Sequence, residues 1–162
     1  MRVGIVGGGC VGLVAAADLA MRGATVTLYE RGELGSGSTG RAAGICYDAF
    51  ADPIDAAVAD RALERYREWE LLDPSPYVWF AREQTDATAI REQVAEMQAL
   101  GRDVAEITPK ELAERYPLLS TDGIAAAGIA RSAGVLDPDA VVDRLAQRAR
   151  DAGVIIRTET PA

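Results

Sequence analysis

Gly7, Gly9 and Gly12, followed at a distance by Glu30, are the residues of this chain with the clearest chemical use. Glycines spaced G-x-G-x-x-G let backbone N–H groups approach a pyrophosphate, and an acid further on accepts hydrogen bonds from the hydroxyls of an adenosine ribose. Gly7 permits a tight turn, Gly9 has no Cβ to hold a phosphate away, and Gly12 lets a helix pack closely on a strand. Cys10 and Val11 lie at the start of that helix, where free N–H groups and a positive dipole favour an anion. Glu30 argues against a cofactor carrying a 2′-phosphate, because two negative groups would face each other. Arg31 beside it reads as lying over an adenine or in solvent.

The elements that must position these residues are legible around them. Val3, Ile5 and Val6 read as a buried strand. An Ala- and Leu-rich helix follows and closes at Gly23, and Thr25 to Tyr29 form a second, β-branched strand. Strand, glycines, helix, strand and acid occur in that order, which predicts a dinucleotide site; the alternative is a glycine turn with a structural role alone.

The stretch after Glu30 asks for more than that. "GSGSTGRAAG", residues 35–44, gathers small residues and short hydroxyls where a nicotinamide-binding chain would run into another helix and strand. FAD lies extended and needs polar backbone beyond its pyrophosphate. Ser38 and Thr39 are placed to cap a short helix over Thr39 to Ala42, aiming N–H groups at pyrophosphate and ribityl oxygens. Ala43, Gly44 and Ile45 then bring backbone with little side-chain bulk beside the flavin ring. A mobile loop with chance Gly and Ser is the competing reading, as is an NAD-dependent dehydrogenase.

Composition narrows the class. The 162 residues suffice for one domain with a core, or one domain and part of a second. No stretch has the apolar length of a membrane span, and the N-terminus does not read as a signal peptide. Cys10 and Cys46 give no disulfide framework and read as small buried residues in a reducing, cytoplasmic setting. The net charge is −8, with no His and a single Lys, Lys110, among 17 basic residues. Such a surface disfavours nucleic acid. It resembles that of proteins from salt-loving organisms, although a GC-rich coding sequence also exchanges Lys for Arg. No metal-ligand cluster and no Ser-His-Asp set is present.

With these residues in view, the chain resembles the D-amino-acid oxidase family of flavoproteins. The glycine turn, Glu30 and "GSGSTGRAAG" carry the resemblance, and "STGRAAG" looks most like the sarcosine and dimethylglycine dehydrogenase branch. "ITPKELAERYPLLS" and "AGVLDPDAVVDRLAQRARDAGVIIRTET" are similar to later family segments. The resemblance spans nearly the whole chain but about the first half of a typical member. It implies oxidation of a C–H next to an amine nitrogen of a small amine or amino acid, with FAD as acceptor. It also implies that this chain alone is incomplete, a non-catalytic FAD-binding fragment or one subunit that associates with itself or a partner. Branches that attach flavin covalently often use a His; none exists here, so the expected FAD is noncovalent, with a Cys46 thioether as the alternative. Arg41 is a candidate for a substrate carboxylate, against a phosphate or surface contact, and Tyr47 is a candidate to line the site, against a core or surface role.

The remaining pattern predicts an α/β protein: a Rossmann-like FAD-binding domain, discontinuous over residues 1–52 and 131–162, with an inserted α+β piece of a substrate domain over 53–130. Within the insertion, Ala59, Ala62, Leu63, Tyr66 and Trp69 fall at helical spacing. Tyr77 to Ala81 and Ile124 to Ala130 read as strands. Asp86 reads as a helix cap, and Thr108-Pro109-Lys110-Glu111 as a capping box. Asp137 and Pro138 open a helix whose apolar stripe runs through Val141, Val142, Leu145 and Ala149, and Val154 to Thr158 return as a strand parallel to the first ones.

Overall fold

In the computed structural model, which describes residues 1–161, Arg2–Val6 forms strand β1, Cys10–Met21 helix α1 and Thr25–Tyr29 strand β2. After a loop come β3 (Ile45–Cys46), α2 (Pro53–Glu68), β4 (Asp73–Pro74), β5 (Tyr77–Ala81) and α3 (Gln84–Ala99). The chain continues through β6 (Val104–Ile107), α4 (Pro109–Arg115), β7 (Ala126–Ala130), β8 (Gly134–Val135), α5 (Pro138–Asp151) and β9 (Ile155–Arg157). Two compact units result. Met1–Gly44 and the segment from Leu136 onward form the first, and Ile45–Val135 the second.

The first unit holds a parallel sheet in the order β1-β2-β9, with Arg2 opposite Thr25 and Thr27 opposite Ile155. Val26 and Leu28 alternate into the core, as period-two strands do. Leu13, Ala16 and Ala17 of α1 and the stripe Val141, Val142, Leu145, Ala146 and Ala149 of α5 are buried as well, and α1 packs on both β2 and α5. That stripe recurs at helical spacing, so one face of α5 is apolar along its length. Asp18 and Arg148 join the two helices at 2.8 Å. The Asp137 carboxylate accepts from the Asp139 N–H at 2.9 Å, with Pro138 in the first turn, as the sequence predicts.

One expectation fails in β1. Val3 and Ile5 are half-buried, but Val6 is 73% exposed. Arg2, Gly4 and Val6 share the face of the strand that no element of this unit covers, so the strand is buried on one side only.

The second unit is built on an antiparallel sheet, β5-β7-β6. Its central strand, β7, is buried at all five positions, which accounts for its small residues. Ala126 and Ala130 face Ala87, Ile90, Val94 and Met97 of α3, while Ala127 and Ile129 face Ile107, Leu112 and Ile124. Thr108 and Glu111 form the predicted capping box: the Thr108 hydroxyl accepts from the Glu111 N–H, and the Glu111 carboxylate accepts from the Thr108 N–H at 2.9 Å. Asp86 is not a cap. Helix α3 begins at Gln84 after an extended Glu83 that makes no side-chain capping bond, which leaves Asp86 inside the first turn, where its charge suits the helix dipole.

The division between the units also differs from the sequence reading, which cut after residue 52 and before residue 131. Ile45–Cys46 pairs antiparallel with Gly134–Val135, and the latter also pairs with Asp73–Pro74. Both flanks are therefore held in a small sheet of the second unit, and the cuts fall at Gly44 and Leu136.

Helix ends supply a stability prediction. Helices α1, α3 and α5 finish at Gly23, Gly101 and Gly153 with the paired N–H bonds of a Schellman turn. Helix α2 makes the same bonds, Glu70 N–H to Arg67 C=O and Leu71 N–H to Tyr66 C=O, but puts Glu70 in the left-handed region at φ 56°. Glu70→Gly is expected to raise stability by about 0.5–1 kcal/mol, the left-handed cost for an L residue less the added freedom of the unfolded glycine. A lower urea midpoint would show that the Glu70 side chain contributes more than its backbone costs.

Candidate functional site

The first turn of α1 is open to a ligand. Gly7 adopts φ 107°, and its N–H continues the β1–β2 ladder to the Tyr29 carbonyl at 2.8 Å before the chain swings into the helix. Gly9 is the N-cap residue and provides no side-chain cap. The Cys10 N–H is taken by the Thr39 hydroxyl at 3.1 Å. Those of Val11 and Gly12 have no acceptor among the described residues, as expected for the first turn of a helix. Gly12 is pressed against the turn: a Cβ there would overlap the Gly7 carbonyl oxygen and stand 3.6 Å from Ile5 Cγ2. The result is a positive helix end with two unspent donors beside the Thr39 hydroxyl, which fits a pyrophosphate.

Glu30 is already engaged. Its Oε2 accepts from the Gly8 N–H at 2.7 Å and its Oε1 from the Gly32 N–H at 2.9 Å. The Gly8 bond, then the Gly32 bond, hold its pKa below the usual carboxylate value, with a smaller contribution from Arg31; partial burial opposes them. Each carboxylate oxygen retains a further lone-pair direction, so the ribose hydroxyls expected there still find an acceptor. The backbone around Glu30 is strapped too, its N–H to the Arg157 carbonyl and its carbonyl to the Thr160 N–H, both 2.8 Å. A depressed folded pKa stabilises the protein fully above the unfolded value, about 4.3, and that stabilisation is lost as pH falls through the folded value. The stability difference between the native chain and Glu30→Gln is therefore expected to hold constant from neutral pH to about 5 and to shrink below it, as read from urea midpoints across a pH series.

The loop after Glu30 is ordered. The Gly35 N–H bonds the Gly8 carbonyl at 3.0 Å, and the Gly40 N–H bonds the Gly35 carbonyl at 2.8 Å. Gly35 lies against Val142 of α5, where a Cβ would come within 2.8 Å of its Cγ2. Arg41 donates to the Ser36 carbonyl at 3.2 Å and so closes the loop on itself. The expected short helix is a single 3-10 turn over Thr39–Arg41. Ser38 and Thr39 do not cap it: Ser38 is exposed with helical φ and ψ, whereas a capping residue is extended, and Thr39 turns its hydroxyl to Cys10. Thr39 caps α1 instead, which gives Gly9 a second reason to be glycine, since its Cβ would approach Thr39 Oγ1 to 2.9 Å.

Most of the site residues anticipated from sequence thus meet in the first unit: Gly7, Gly9, Cys10, Val11, Gly12, Glu30, Thr39 and the loop to Gly44. Arg31, Ser38, Arg41 and Ala43 are exposed there. Gly44, at φ 71°, accepts from the Leu136 N–H at 2.7 Å, and a Cβ on it would strike the Leu136 carbonyl. Ile45 and Tyr47 belong to the second unit, Ile45 in β3 and Tyr47 stacked on Tyr77 and Phe50. Cys10 and Cys46 are half-buried rather than buried. Sequence reasoning missed Gly8 and Gly32, the donors to Glu30, and Thr160, whose contact is long-range. A third glycine in the run at residues 7–9 was the available signal for Gly8. No helix among the described residues is long and apolar enough to cross a membrane.

A parallel sheet, a glycine turn opening a helix and an acid closing the second strand together make the first unit an α/β fold. Residues 2–162 match the family model described as FAD dependent oxidoreductase, and the chain belongs to that DAO family. It is 26% identical to glycine oxidase of Geobacillus kaustophilus, over 95% of this chain and 45% of that protein. It is 29% identical to human mitochondrial dimethylglycine dehydrogenase, over 97% of this chain and 19% of that protein. Among solved structures, L-proline dehydrogenase from P. horikoshii superposes with a TM-score of 0.88 at 26% identity, covering 98% of this chain and 44% of that one. The chain spans less than half the length of these relatives.

Proposed function

We propose that the first unit binds FAD noncovalently and that the protein serves the oxidation of an amine or amino acid at the C–H next to nitrogen. The observation that carries this reading is the pair of uncapped N–H groups of Val11 and Gly12 beside a carboxylate already fixed by Gly8 and Gly32. When bound, FAD supplies the acceptor for the hydride equivalent. This chain's own residues hold and orient it. Val11 and Gly12 face the pyrophosphate, Glu30 accepts from the ribose, and the Gly35–Gly44 loop, fixed to Gly8 and α5, lines the path of the extended cofactor.

Arg41 in this reading shapes the loop through Ser36, and a substrate carboxylate would have to compete for it. Tyr47 stacks with both Phe50 and Tyr77, so its hydroxyl is what it can offer a substrate. Burial pushes the Cys46 thiol up, which keeps it protonated and unsuited to a thioether. Flavin is therefore expected to leave the polypeptide completely on acid or heat denaturation and filtration; colour retained by the denatured chain, and lost in Cys46→Ser, would establish a covalent link.

Family membership favours FAD over NAD. The test is anaerobic stopped-flow flavin reduction of the FAD-loaded chain by glycine, sarcosine, dimethylglycine and D-amino acids. Reduction that depends on one of these substrates is expected, and no reduction by any of them would contradict the proposed activity.

A further inference from the structure

Four aromatic rings of the second unit stand in a column. Phe50 stacks on Tyr47 with centroids 5.2 Å apart, and Tyr47 on Tyr77 at 4.4 Å with planes 6° from parallel. Tyr77 stacks on Trp79 at 6.0 Å and 21°. Tyr77 and Trp79 alternate along β5 and so share a face of the sheet. Trp79 lies opposite Gly128 of β7, and a Cβ on Gly128 would run into the indole, so the glycine seats the ring. The indole Nε1, a donor only, is buried with no acceptor among the described residues. Tyr77 and Trp79 also pack against the core cluster of Ala126, Ala130 and α3, but packing alone does not call for an orphaned indole N–H, which is a cost.

We propose that the column is a one-electron relay, which carries an oxidising equivalent from Trp79 onto the Tyr77–Tyr47 pair. A diffusible one-electron oxidant takes an electron from Trp79. With no acceptor for its N–H among the described residues, the indole keeps its proton, so the hole remains a radical cation and a strong oxidant. Tyr77, stacked on it, returns the electron: Trp79 is restored with its N–H intact, and Tyr77 releases its phenolic proton to water and becomes a phenoxyl radical. Tyr47 exchanges with Tyr77 by giving an electron, while Tyr77 regains a proton and Tyr47 loses one. The sum is transfer of one electron from a tyrosine to Trp79 and one proton to water. Phe50 closes the column, because its ring lacks the hydroxyl that makes tyrosine oxidisable. The relay is independent of the flavin reading and is tested without cofactor.

The experiment is pulse radiolysis of the chain with azide radical as oxidant, in a Trp69→Phe background that leaves Trp79 as the only indole. The indolyl absorption is expected to decay with matching growth of phenoxyl absorption, at a rate independent of protein concentration. Tyr77→Phe, which keeps the ring and its stacking, should slow that growth, and Tyr47→Phe with Tyr77→Phe should abolish it. Tyr116→Phe, outside the column, should leave it unchanged. Urea midpoints of all variants at the background value confirm that the fold is retained. Decay that depends on protein concentration without phenoxyl growth, or growth that survives the double substitution, would overturn the relay.

Discussion

Gly12→Ala is expected to destabilise the first unit by about 2–4 kcal/mol and to abolish measurable FAD binding. Taken alone, the change would favour the helix by nearly 1 kcal/mol, since alanine is the better helix former. The sign reverses because the new Cβ would overlap the Gly7 carbonyl oxygen, and backbone cannot move aside as a side-chain tip can. Relief requires α1 to shift away from β1, which opens the packing around Leu13, Ala16 and Ala17 and displaces the N–H groups of the first turn. Gly37→Ala is the control: nothing lies within 4 Å of its Cβ position, and its stability should change by less than about 0.5 kcal/mol. Equal urea midpoints for Gly12→Ala and the native chain would mean that helix and turn are not in close contact.

Removing the Glu30 carboxylate should have the next largest effect, on affinity more than on fold. Glu30→Ala is expected to weaken FAD by roughly 1.5–3 kcal/mol, the range for hydrogen bonds to a charged group. Glu30→Gln should rescue little of this. The side chain now meets two N–H donors, Gly8 and Gly32, through separate oxygens. An amide offers one oxygen and would point its NH2 at the other donor. Near-native affinity in Glu30→Gln, measured by flavin fluorescence titration, would show that the ribose needs only a neutral acceptor and that the backbone clasp of the carboxylate is dispensable.

What could be read from sequence was local. The glycine turn that opens α1, the Thr108 capping box and the Asp137 cap are each defined within a few residues, and each takes the form expected of it. The failures come from partners distant in the chain. Thr39 sits where a helix cap would, but its hydroxyl is claimed by Cys10, on an element separated from it by the whole of β2. The unit boundary moved because two-residue strands, Ile45–Cys46 and Gly134–Val135, find each other across the second unit, and so short a strand leaves no periodic signal. Val6 has a core residue's side chain on an uncovered face, which no pattern within β1 could reveal. The aromatic column is of the same kind: Tyr47 and Phe50 give no sign in sequence that β5 will stack against them.

The central claim is that Gly7–Gly12, Glu30 and the Gly35–Gly44 loop act together as an FAD site. Its most direct test is parallel titration of the 162-residue chain, stripped of cofactor, with FAD and with NAD. Both ligands share the adenosine and pyrophosphate that the glycine turn and Glu30 address, so only the Gly35–Gly44 loop can separate them. The account predicts saturable binding of FAD and markedly weaker binding of NAD, with the preference reduced when the loop is loosened by Thr39→Ala. Tighter binding of NAD than of FAD would contradict it.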